Sequence, residues 1–413
     1  MFSEKKRREP HLFRIMIVLT IMVAGGYAGL RAYAWYNGSQ QAATIAEAPE
    51  RLAEARTLIK QGAYAEAIAA LSPLSESTLD SRHTPEVLTL LAEAKAGSGD
   101  LAEAVTMARR ASLEFSSHPN RAAHAVFYAR LLEREGDFDE AETVYQQVVD
   151  TAPADLRAPA LTGLGRAKER AGNLVAARDL YAQAVADAAW ESEPWDEALE
   201  ALGAANVAMF FGREETPESQ VYTVQPGDNL TAIGVKLNTT LGSLTRANGI
   251  TEETSLQVGQ RLKYTPKDFR IVIDRSTNRL FVVDSQGIFK HYRVGLGAPG
   301  SETTPGSYRI GDKIKDPTWH KPGEGPIPPG DPRNELDTRW MQLVPEEEGL
   351  PKDLGIHGTL SPETIGHFSS NGCARMYTPE VEELFDIVVR ATPVLIVDGV
   401  SRDSVLPQTI AAR

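Results

Sequence analysis

The chain has 413 residues, 42% of them hydrophobic, which suffices for two to four domains at about 100–200 residues each. A formal net charge of −13 argues against a nucleic-acid binder, which carries a basic face. The single cysteine excludes an intramolecular disulfide and a four-cysteine zinc site. No histidine–carboxylate cluster has metal-ligand spacing, so neither a metal nor another cofactor is expected.

At the N-terminus, Lys5, Lys6, Arg7 and Arg8 precede an apolar run from Ile15 to Leu30, flanked by Arg14 and Arg31. Extended to Tyr36, the segment approaches the roughly 20 residues that a spanning helix needs. The basic flank places the N-terminus in the cytoplasm and the rest of the chain outside. Residues 1–36 are therefore read as a cytoplasmic tail and single-pass membrane anchor. The competing reading is a cleaved signal peptide, since Ala32-Tyr33-Ala34 fits the small-x-small pattern. Both export the remainder, to the periplasm or cell wall.

Residues 49–211 are rich in Ala, Leu and Glu at helical spacing. A glycine–apolar–alanine pattern recurs four times: Gly62, Tyr64, Ala67; Gly99, Leu101, Ala104; Gly136, Phe138, Ala141; Gly172, Leu174, Ala177. The period is about 37 residues, the mark of stacked helical pairs. Each glycine is expected to end a helix in a left-handed conformation. Each alanine lets the next helix approach closely, and Tyr145 and Tyr181 fill the same face. The pattern resembles tetratricopeptide repeats, with a slightly longer period and without the early tryptophan. The resemblance implies a concave surface for a partner protein; a helical spacer is the plainer alternative.

Residues 212–220 are polar, contain Pro217 and read as a linker. From 221 to 266 the order is a strand at Tyr222–Val224, a helix to Leu237 capped by Asp228, a helix over Leu241–Asn248, and a closing strand near Leu262. YTVQPGDNL and VGQRL together resemble the lysin motif, a βααβ module that binds N-acetylglucosamine polymers. The resemblance maps a glycan groove onto Asp228, Asn229, Leu230 and Asn248. A mini-domain without ligand is the alternative.

Residues 268–400 carry strand signals at Arg270–Ile273, Leu280–Val283 and Phe289–Val294, the last two joined by a hairpin across Asp284–Gly287. A helix begins at Thr378-Pro379, with Thr378 as cap, and the apolar strand Val394–Val397 follows. Residues 401–413 form a tail. The fold class is multidomain α+β: membrane helix, helical solenoid, βααβ module and a C-terminal β-rich domain.

Two segments of this last domain carry chemistry, Ile356-His357-Gly358-Thr359 and Ser370-Asn371-Gly372-Cys373-Ala374-Arg375. A thiol with a pKa of about 8.5 is a few per cent thiolate at neutral pH, and a neighbouring histidine can take its proton. Gly372 permits close approach of a substrate carbonyl, and the Cys373 N–H with a neighbour such as Gly372 is placed to hold an oxyanion. With no acidic residue adjacent, a backbone carbonyl, that of Gly358, is the candidate to fix the imidazole tautomer. His367, His291 and His320 are read as peripheral, and Glu346–Glu348 as a solvated loop.

The two segments resemble the L,D-transpeptidase catalytic domain, whose pattern is His-Gly-Thr, a spacer, then Ser-x-Gly-Cys followed by Arg. Thr304–Tyr308, Pro317–Trp319 and Thr338–Met341 agree with it. The resemblance implies Cys373 as nucleophile and His357 as base, with Gly372, Asn371, Ser370, Gly358, Thr359 and Arg375 positioning substrate or oxyanion. It further implies attack on the third residue of a peptidoglycan stem peptide, release of terminal D-alanine and a thioester resolved by a second stem. Hydrolysis or protein attachment by the same site stays open, as does a wall-bound scaffold of weak activity. Two departures stand out: Asn371 where the family often has histidine, leaving His357 as the one base, and Asp337 where it often has glycine.

Overall fold

The computed structural model describes residues 26–35, 46–76, 83–115, 117–320 and 323–405. Most of the expected anchor falls on residues 1–25 and lies outside the described residues. Residues 26–35 are helical, and no helix among the described residues is long and apolar enough to cross a membrane. The chain divides into two compact units at Asp150/Thr151, inside the helical repeats.

The first unit is built from helices α1 (46–60), α2 (Tyr64–Glu76), α3 (Thr84–Ser98), α4 (Leu101–Leu113), α5 (Arg121–Glu135) and α6 (Phe138–Thr151). The repeat glycines explain the boundaries. Gly99 and Gly136 are left-handed C-caps at φ 99° and 96°, and the next helix starts two residues on. Asp100 then caps α4 by accepting from the Glu103 N–H. Ala67, Ala104 and Ala141 are fully buried. Tyr145 is equally buried, and its hydroxyl donates to Glu133 at 2.9 Å, so a large ring enters the core without orphaning its polar tip.

The second unit continues with α7 (Ala154–Arg170), α8 (Leu174–Asp187) and α9 (Glu193–Phe211). Tyr181 repeats the Tyr145 device by donating to Glu169 at 2.8 Å. Its ring lies on Gly165, where an added Cβ would sit 2.2 Å from it. Helix α9 ends in Phe210 and Phe211, and Phe210 packs edge-on against Phe269 and Phe289 of the C-terminal domain.

The βααβ module consists of β1 (Gln220–Thr223), α10 (Leu230–Lys236), α11 (Leu241–Asn248) and β2 (Arg261–Tyr264), with β1 and β2 antiparallel. The segment read as a linker is pinned at both ends. Lys263 Nζ donates to the Met209 and Gly212 carbonyls at the end of α9, and Glu218 accepts from Arg178 and Lys267.

The remaining strands are β3 (Arg270–Asp274), β4 (Arg279–Asp284), β5 (Gly287–Arg293), β6 (Leu296–Gly297), β7 (Gly306–Lys315), β8 (Arg339–Pro345), β9 (Gly355–Gly358), β10 (Phe368–Ser370), β11 (Ala374–Met376) and β12 (Pro393–Val397), with α12 (Thr378–Ile387) before β12 and α13 (Arg402–Val405) after it. Eight of them form one mixed sheet in the order β11-β9-β8-β7-β12-β3-β4-β5, while β10 pairs with β6 apart from it. One face packs Ile356, Met341, Ala374 and Met376 against Val381, Leu384 and Ile387 of α12. The expected cap at Thr378 shifts to Tyr377, because the Thr378 hydroxyl is taken by the Asp337 carboxylate.

Candidate active site

Strands β9 and β11 bring the two segments together. They run parallel, pairing Ile356 with Ala374, His357 with Arg375 and Gly358 with Met376. Side chains alternate between faces along a strand. Since Ile356, Ala374 and Met376 face the core, His357, Arg375 and Cys373 fall on the opposite face. Trp340, opposite His357 on β8, stacks on the imidazole with ring centroids 5.8 Å apart.

The turn that presents Cys373 is locked from three sides. Gly372 has φ +108°, a conformation glycine adopts without steric cost. The buried Ser370 Oγ donates to the Cys373 carbonyl at 2.7 Å and accepts from the Gly372 N–H at 3.2 Å. Thr303, 1% exposed, donates to the Gly372 carbonyl at 2.7 Å. The Gly372 amide is therefore occupied, and the Cys373 N–H is left without an acceptor among the described residues. Thr303 escaped sequence reading, although it directly precedes the matching Thr304–Tyr308 segment.

His357 is 4% exposed, and its Nδ1–H donates to the Gly358 carbonyl at 2.6 Å. A carbonyl only accepts, so this bond puts the proton on Nδ1 and leaves Nε2 basic. Burial lowers the imidazole pKa to about 4; the backbone of Gly358 and of Glu335 pulls it up, and Arg375 pushes it further down. Burial likewise pushes the Cys373 thiol up to about 11, helped by Asp353 and opposed by the Gly355 N–H and Arg375. At neutral pH both groups are uncharged. The sulfur's hydrogen-bond contact is the Asp353 carbonyl at 3.8 Å rather than the imidazole.

The other expected residues have distinct places. Gly358 is obligatory, because a Cβ there would lie 2.5 Å from Asp337 Oδ2. Asp337 itself has φ +56°, a left-handed backbone that glycine adopts freely and aspartate tolerates. Thr359 is buried and accepts from the Ser361 N–H at 3.1 Å. Asn371 is exposed beside the turn. Arg375 pairs with Glu335 at 3.0 Å, a partner the sequence did not announce. His367 and His320 are exposed, and His291 is buried beside Glu200.

In the βααβ module the expected groove residues serve the fold. The cap of α10 is Asn229, whose Oδ1 accepts from the Ala232 N–H at 2.8 Å, and not Asp228. Gly227, at φ +85°, completes a turn that aims Asp228 back at Tyr222 and the Gln225 N–H, delaying the helix by one residue. Leu230 is buried in the module's core. Asn248 bonds the Lys263 N–H and carbonyl, tying α11 to β2.

A model of the L,D-transpeptidase catalytic domain matches residues 268–396, a LysM domain model matches 222–265, and a tetratricopeptide repeat model matches 89–156 and 129–194. The Bacillus subtilis (strain 168) protein YqjB, provisionally named an L,D-transpeptidase, is 34% identical over 134 residues, covering 32% of this chain and 73% of that protein. The similarly named YkuD of Bacillus licheniformis is 26% identical over 182 residues, covering 43% of this chain and 98% of that protein. The structure of an L,D-transpeptidase from Mycobacterium smegmatis matches at 13% identity and TM-score 0.27, covering 34% of this chain; this chain spans 64% of its length. With a relative matched at this identity over most of its length, and a catalytic-domain model over the strands that carry Cys373 and His357, the chain belongs to the L,D-transpeptidase family.

Proposed function

We propose that the protein cross-links peptidoglycan stem peptides through a thioester on Cys373, outside the cytoplasmic membrane. The observation that supports this reading is the parallel pairing of β9 with β11, which puts the tautomer-fixed His357 and the Cys373 segment on adjoining strands, with no acceptor for the Cys373 N–H among the described residues. Rotation about the Cys373 Cα–Cβ bond redirects the S–H from the Asp353 carbonyl toward His357 Nε2. The sulfur attacks the carbonyl of the third stem residue as the imidazole takes its proton. The Cys373 N–H holds the oxyanion, with Asn371 as second donor, a contribution of about 3–4 kcal/mol per donor. Collapse expels D-alanine, protonated by the imidazolium, and the side-chain amine of a second stem resolves the thioester.

The LysM module supports peptidoglycan as the substrate, by the glycan-binding character of that family. The repeats are assigned a partner protein, and the N-terminal segment a membrane anchor with the catalytic domain exported. Incubation of the full chain with disaccharide-tetrapeptides tests the reaction. Cross-linked dimers support transfer, tripeptide monomers mean hydrolysis by the same thioester, and unchanged substrate contradicts both. Cys373→Ala abolishes either product, and His357→Gln lowers the rate about 10²–10⁴-fold.

A further inference from the structure

Arg375 is an under-used cation beside the nucleophile. A guanidinium offers five N–H donors, yet among the described residues Nη2 alone has an acceptor, Glu335 Oε2 at 3.0 Å. Its Nε is buried without a partner. The side chain is 13% exposed, and an unsatisfied buried donor of this kind calls for a ligand. Arg375 lies two residues beyond Cys373 on the same strand face, directly across from His357. Two residues of strand span about 6.6 Å, and the carboxylate one residue past a scissile carbonyl is about 3.8 Å of chain away. A donor peptide with its carbonyl at the sulfur thus has its terminal carboxylate within reach of the guanidinium.

Glu335 already fills that place with the same functional group. Its backbone is fixed, because the neighbouring Asn334, 2% exposed, donates to the carbonyls of Pro317, Ile327 and Pro328. Its carboxylate side chain is 51% exposed and has room to swing into solvent. The geometry points to Arg375 as the clamp for the donor's C-terminal carboxylate, and to Glu335 as the resting occupant that the donor displaces. This rests on the proposed donor chemistry and adds to it a built-in competitor, which rejects peptides lacking a free terminus because they cannot displace Glu335.

Cys373 is the single cysteine, so alkylation of the full chain reads the site directly. Iodoacetate and iodoacetamide are similar in size and differ by one charge. Glu335→Gln is expected to raise the iodoacetate-to-iodoacetamide rate ratio roughly five-fold or more. In an Arg375→Gln background the same change leaves the ratio unaltered. Equal acceleration of both reagents, or a ratio shift that persists without Arg375, overturns the clamp. With tetrapeptide donors, Glu335→Gln lowers KM several-fold for the free acid and leaves the C-terminal amide unaffected. If Arg375→Gln does not fold, this comparison alone decides, and equal KM changes for acid and amide refute the proposal. Alkylation ratios as expected on a protein that turns over neither donor support the gate and refute the proposed reaction.

Discussion

Cys373 is held as a resting thiol. With its pKa pushed up to about 11, roughly one molecule in ten thousand carries a thiolate at neutral pH. The imidazole, lowered to about 4, is neutral and available as a base. Activation therefore belongs to the transition state and not to a preformed ion pair. Alkylation by iodoacetamide should climb close to tenfold per pH unit between pH 6 and 9 without levelling; a plateau below pH 8 would show a standing thiolate–imidazolium pair. By the same reasoning His357→Gln should change this resting alkylation by no more than a few-fold while the peptide reaction collapses. The two segments that hold His357 and Cys373 were readable in the sequence because each is a compact motif. Thr303 and Glu335 were not, since each reaches the site from a distant loop and carries no signature of its own. In the βααβ module Asp228, Asn229 and Asn248 bond the nearby backbone, as polar side chains next to a turn readily do.

Helices declared themselves through their ends, whereas the short strands around the site did not. The recurring glycine marks a left-handed residue wherever it occurs, so Gly62, Gly99, Gly136 and Gly172 all have positive φ. Strands β6, β9, β10 and β11 are two to four residues long and rich in glycine, serine and charge, too short to display alternation. The parallel pairing of β9 with β11 is a long-range choice that periodicity never shows. The small residue facing Tyr181, Gly165, was also invisible, because it lies on the preceding helix outside the glycine–alanine pattern. Gly165 tests this packing. An added methyl group would lie 2.2 Å from the Tyr181 ring, so Gly165→Ala should cost about 2 kcal/mol in thermal melting. Tyr181→Leu should recover part of that loss by removing the ring; a Gly165→Ala protein as stable as wild type would contradict it.

Within residues 151–413, an ion network joins elements far apart in sequence. Glu218 accepts from Arg178 on α8 and Lys267 ahead of β3, and Lys267 also donates to Asp284 at the end of β4. Burial pushes the Glu218 carboxyl up, but the two cations overcome this and hold it at about 2. A carboxyl with a depressed folded pKa stabilises fully above its unfolded value, and that stability is lost as pH falls toward 2. Glu218→Gln should therefore cost about 2 kcal/mol at pH 7, some 4–8 °C in Tm, and progressively less below pH 4. A deficit of equal size at pH 3 would assign the loss to packing instead. Glu218 lies in a stretch that composition marks as a linker, and charged residues between domains look alike in sequence whether they meet solvent or one another. The same frame carries the sheet whose edge pair, β9 and β11, presents the thiol. The most direct test of that presentation is the intact mass of the full chain, quenched in acid after mixing with a disaccharide-tetrapeptide. The expected product is an adduct equal to the donor less one alanine, located on Cys373 and released by hydroxylamine. Product formation with an unmodified Cys373, or with the acyl group on another residue, would contradict it.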